Sequence, residues 1–101
     1  MLNISMDKTH FTVKLDGHAG YAPVGADIVC AGASMLAATL ARALGGVAGY
    51  HYADDGNMME VSCTPTAAQL PRVLTTLDVI DSGFSLLAST YPNHVKYKNI
   101  A

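Results

Sequence analysis

Charge is scarce in this chain: 14% of its 101 residues are charged, against 50% hydrophobic, and the net charge is −2. So apolar a composition argues for a compact globular chain and against disorder. The six Lys and Arg residues are scattered apart from Lys96 and Lys98, so no basic face for nucleic acid is expected. No apolar run approaches the ~20 residues needed to span a bilayer, and no basic leader precedes an apolar segment. A soluble, cytoplasmic protein without membrane attachment is expected. Only two cysteines occur, Cys30 and Cys63, without the CxxC spacing of a zinc or redox pair, and a reducing cytosol leaves them free. The Gly-His-Ala-Gly stretch at 17–20 lacks the later glycine and the lysine of a phosphate loop. No repeat, low-complexity tract or linker divides the chain, so one domain over residues 1–101 is expected, with no metal and no cofactor.

The residues present alternate between two periods. Residues 2–5 read as a short strand and 6–9 as a polar turn. Residues 11–15 set Phe11, Val13 and Leu15 against Thr12 and Lys14, the pattern of a half-buried strand pairing with the first as a hairpin. A helix is expected over 27–44, with Ile28, Met35, Leu36, Leu40 and Leu44 toward the core and small Ala31, Gly32, Ala33, Ala37 and Ala38 allowing close packing. Gly45 and Gly46 end it. A second hairpin turns at Asp54, Asp55, Gly56 and Asn57. A longer helix is expected over 71–89, opened by Pro71, with Val73, Leu74, Leu77, Ile80, Phe84, Leu87 and Ala88 on its apolar face, and a last short strand follows Pro92. The order ββαββαβ indicates an α+β sandwich with two helices covering a mainly antiparallel sheet.

The stretch from His18 to Ser34 is the part built for chemistry. Asp27 is a good helix cap, its carboxylate able to accept an otherwise unpaired first-turn amide. Cys30 then lies in that first turn, where the helix dipole and nearby N–H groups favour negative charge on sulfur. Asp27, Cys30 and Ser34 share one helical stripe. Residues 19–26, with Gly20, Pro23 and Gly25 around Tyr21, should form a mobile loop. The competing reading of Cys30 is a small buried residue on an alanine-rich helix.

Gly17-His18-Ala19, then Gly25, then Asp27-Ile28-Val29-Cys30-Ala31 with Ser34, resembles the signature of the ribosomal-processing cysteine protease family, Prp. The separation of His18 from Cys30 fits, and the second helix with Ala88, Tyr91 and Pro92 resembles that family's C-terminal half. The resemblance implies a cysteine endopeptidase with Cys30 as nucleophile and His18 as general base. Amides at the helix start, near Cys30 and Ala31, would stabilise the oxyanion. Asp27 either caps the helix or orients His18, and capping is favoured because its charge would oppose a thiolate. Ser34 supports the site by a hydrogen bond. Gly17, Gly20, Tyr21 and Gly25 belong to a loop that closes over an extended peptide, with Tyr21 covering an apolar substrate side chain. The family further implies a homodimer, and as substrate the short N-terminal extension of a bacterial large-subunit ribosomal protein or a related phage virion protein.

Other polar candidates have simpler readings. His10 and His94 are surface histidines beside strand ends, His51 alternates with Tyr50 and Tyr52 on a strand, and Cys63 is a small core residue. Asp54 and Asp55 belong to a turn that lacks further metal ligands. Two rival functions remain: a non-catalytic module that binds a peptide without cutting it, and a thiol redox sensor, which lacks a resolving cysteine near Cys30.

Overall fold

The computed structural model describes residues 1–100. Strand β1 (Leu2–Asp7) buries Leu2, Ile4 and Met6 and turns Asn3 away, as strand alternation dictates. It runs two residues further than expected, because the turn is built by the Asp7 carboxylate, which accepts from the Thr9 and His10 amides at 2.9 and 3.1 Å. Phe11 is no strand residue. With φ of +50° it closes the turn, and its carbonyl accepts from the Cys63 amide at 3.2 Å. Strand β2 (Thr12–Asp16) then pairs antiparallel with β1.

Helix α1 (Ile28–Leu44) is followed by the hairpin β3 (His51–Asp54) and β4 (Met58–Ser62), helix α2 (Leu70–Thr90) and strand β5 (Val95–Ile100). The sheet order is β3-β4-β2-β1-β5, antiparallel throughout except for β5, which lies parallel to β1 with Leu2 opposite Val95. A parallel neighbour needs a long crossover, and α2 supplies it. The expected ββαββαβ order and two-helix, mainly antiparallel architecture are present.

One expected face is corrected. Ile28 and Met35 are 58% and 68% exposed, while α1 buries Val29, Ala33, Ala37, Leu40, Ala41 and Leu44. Leu40 and Leu44 are buried as expected, whereas Ile28 and Met35 fall on the outer side of the helix. Helix α2 buries Val73, Leu77, Ile80 and Phe84 as expected but leaves Leu74, expected on the same face, exposed. Its Gly83 admits Leu36 of α1 so closely that a Cβ there would stand 2.8 Å from Leu36 Cδ2. Both helices thus share one core with the inner face of the sheet.

Candidate active site

The site forms where β2 ends beside the start of α1. Gly17 leaves β2 at φ +90°, and a Cβ on it would stand 2.9 Å from the Met1 carbonyl oxygen, so only glycine fits without strain. Its amide donates to the Asn57 carbonyl at 2.9 Å, tying the strand exit to the β3–β4 turn. His18 follows on the surface and Ala19 is buried. The Ala19 N–H donates to Cys30 Sγ at 3.3 Å, and the Ala19 carbonyl contacts His94 Nδ1 at 3.0 Å.

Asp27 caps α1 from an extended backbone conformation. Its Oδ1 accepts the Val29 and Cys30 amides at 2.9 and 3.0 Å, and its Oδ2 accepts the Tyr21 and Ala22 amides at 3.0 and 3.3 Å. These donors, the Cys30 amide foremost, hold the carboxyl below its ordinary value although burial opposes the charge. Four amides fill both oxygens, so the geometry favours the cap over a partner for His18.

The same bonds correct the expected source of oxyanion donors. The Cys30 amide is taken by the Asp27 carboxylate and the Ala31 amide by the Asp27 carbonyl at 3.0 Å. The amide that faces the sulfur comes instead from the loop, at Ala19. That loop is also more tied than expected in its first half. Tyr21 lies edge-on to the rings of Tyr91 and His94, with centroids 5.5 and 5.3 Å away. Beyond it, a turn closed by the Ala26 amide on the Pro23 carbonyl at 2.9 Å carries Val24 at 91% exposure. Gly20 and Gly25 both have positive φ, +68° and +91°.

Two grooves meet at the sulfur. His18, Cys30 and Ser34 line a cleft of about 160 Å³ that runs toward Asp54, Gly56, Asn57 and Met58. The same three residues line a wider one of about 490 Å³ bounded by Gly20 and Ala22 to Gly25. The half-buried Cys30 is thereby reachable, and Ser34 stands one helical turn further along the shared rim.

Two contributors were missed in the sequence. The β3–β4 turn reads as a turn and is one, but it also walls the narrower cleft, which follows only from the register that sets Asp16 beside Met58. His94, expected on the surface, is half-buried against Ala19 and Tyr21. The other candidates lie elsewhere. His10 is exposed and bonded to Asp7 at 2.8 Å, and His51 is exposed on β3. Cys63 is buried in the core, and burial pushes its thiol up. Among the described residues, no group of three or more His, Cys, Asp or Glu could hold a metal ion, and no helix is long and apolar enough to cross a membrane.

A five-stranded mixed sheet under two helices, with a cysteine in a capped first turn where two grooves meet, has the form of a small cysteine protease. More narrowly, the chain belongs to the family described as cysteine protease Prp, whose model matches residues 1–96. Its fold is similar to that of the ribosomal processing protease Prp of S. aureus bound to a covalently linked product peptide, with a TM-score of 0.79, 21% identity and coverage of 98% of this chain and 99% of that one. The same S. aureus protease with a substrate peptide matches at a TM-score of 0.75 and 20% identity, covering 98% of this chain and 99% of that one. A Streptococcus mutans protein matches at 0.71 and 26% identity, covering 98% of this chain and 91% of that one. No curated protein matches the sequence.

Proposed function

We propose that this chain is an endopeptidase in which Cys30 is the nucleophile and His18 the general base. The observation that carries the reading is the meeting of two grooves at His18 and Cys30, with the Ala19 amide directed at the sulfur. His18 takes the thiol proton, and the sulfur attacks the peptide carbonyl to give a tetrahedral oxyanion. Collapse of that intermediate expels the amine, which leaves with the proton held by His18, and a thioester remains on Cys30. Water, deprotonated by His18, then hydrolyses the thioester and returns the thiol. The Ala19 N–H donates to Sγ and so favours the thiolate over the thiol, readying the sulfur for attack. Asp27 supports the site by fixing the helix start and the loop together, and Ser34 by its place on the groove rim.

The substrate on this reading is an extended peptide, as in the short N-terminal extension of a bacterial large-subunit ribosomal protein, with phage virion proteins as the related class. The S. aureus structures with substrate and product peptides support a peptide substrate. Gly17, Gly20, Tyr21 and Gly25 frame the loop that closes on it. The protein acts in the cytoplasm as a homodimer, which sedimentation velocity checks.

The test is incubation of the purified protein with a peptide spanning such an extension, followed by mass spectrometry. Site-specific cleavage by wild type, lost in Cys30→Ala and in His18→Ala, is expected. Binding without cleavage by wild type and Cys30→Ala alike would replace the protease by a peptide-binding module.

A further inference from the structure

We propose that His94 is a positioning residue of this site, acting through the backbone at Ala19; the proposal rests on the cysteine protease reading above. The segment from Gly17 to Gly20 has a glycine of positive φ at each end, so the chain itself does little to fix the peptide planes between them. Their orientation therefore depends on bonds from outside. The Gly17 amide is held by Asn57, and the Ala19 amide faces Cys30 Sγ. The remaining hold is His94, whose Nδ1 lies 3.0 Å from the Ala19 carbonyl across 75 residues of sequence.

A carbonyl only accepts, so Nδ1 carries the proton in this contact. The ring is itself fixed. His94 donates its amide to the Tyr91 carbonyl at 3.0 Å and accepts the Leu2 amide at 2.9 Å, which anchors it between α2 and β1. The edge of Tyr21 packs against the imidazole, and Tyr21 is held by Asp27. One side chain thus joins the end of α2, the loop and the cysteine-facing peptide. Without its donor, the Ala19 carbonyl loses its outside hold and the amide at the sulfur keeps only its bond to Sγ, so that amide and the neighbouring His18 are placed less firmly.

The test separates donor from ring. His94→Phe keeps an aromatic ring beside Tyr21 and removes the N–H, whereas His94→Asn puts an amide N–H near the position of Nδ1. Against a peptide that wild type cleaves, His94→Phe lowers kcat by about tenfold to a hundredfold, the scale of a small misplacement of reacting groups, with KM changed less than about threefold. His94→Asn recovers most of that loss. Wild-type kcat in His94→Phe overturns the proposal, as does an equal loss in both variants. Should His94→Phe not fold, His94→Ala takes its place, and equal kcat in Ala and Asn overturns it.

Hydrogen exchange at the Ala19 amide, which bonds Cys30 Sγ, reads without substrate how firmly that peptide is placed at the sulfur. Exchange at least about tenfold faster in His94→Phe than in wild type is expected, and an unchanged rate contradicts the role. Cys30→Ala is run alongside. Cleavage that survives it defeats the protease reading, whereas cleavage that needs Cys30 but ignores His94 defeats this inference alone.

Discussion

Asp27 is the residue on which the site's local order depends, since its two oxygens bind amides from the helix start and from the loop. Asp27→Asn keeps one acceptor oxygen and leaves two of the four amides without a partner, so Tm at pH 7 falls by roughly 5 °C. The pH dependence has a definite sign. A carboxyl held below its ordinary value adds stability that is full above the ordinary range near ~4 and is lost as pH falls through the lower folded value. The gap in Tm between wild type and Asp27→Asn is therefore widest at neutral pH and narrows below about pH 4. Melts from pH 7 to 3 check this, and a constant gap would contradict it. Gly17 gives a second expectation. Gly17→Ala forces a side chain onto positive φ and toward the Met1 carbonyl, and loses about 2 kcal/mol by denaturant unfolding together with cleavage. Both residues were singled out in the sequence, Asp27 as a cap before an apolar run and Gly17 as part of the motif and loop around His18. The occupied amides of Cys30 and Ala31 were not, because a motif names the residues at a helix start and not which donors the cap consumes.

Among the elements, α1 presents the cysteine, and its packing decides where the sulfur stands. Its buried face sets the small Ala33 and Ala37, almost fully buried, among Val29, Leu40 and Leu44. Ala37→Leu overfills it and costs about 1 to 3 kcal/mol, whereas Met35→Lys on the outer side changes stability by less than about 0.5 kcal/mol. Thermal or denaturant unfolding of the two variants checks the assignment, and the reverse order would contradict it. The helix bounds were readable from the cap and the closing glycines. The buried face was readable only at Leu40 and Leu44, because an alanine- and glycine-rich helix offers apolar stripes on several sides, and spacing alone adds the bulky Ile28 and Met35 to it.

For the whole molecule, the decisive feature is that β5 returns parallel to β1 and brings the far end of the chain to the site. The hairpins were legible from alternation and turn residues. This closure was not, since nothing local in residues 94–100 says which strand they will join. It is also what turns His94 from a surface histidine into a neighbour of Ala19. Val95 is buried where β5 begins, so Val95→Asp places a charge without a partner in the core and costs about 3 kcal/mol or more. Loss of cleavage should then track loss of the folded fraction, read by circular dichroism. The central claim is that Cys30 carries the acyl group during peptide cleavage. Its most direct measurement is intact-protein mass spectrometry of an acid-quenched single turnover, with peptide mapping of the adduct. The account predicts a mass increase equal to the N-terminal cleavage fragment less water, located on Cys30 and absent from Cys30→Ala. An adduct on Cys63, or peptide cleavage that persists in Cys30→Ala, would contradict it.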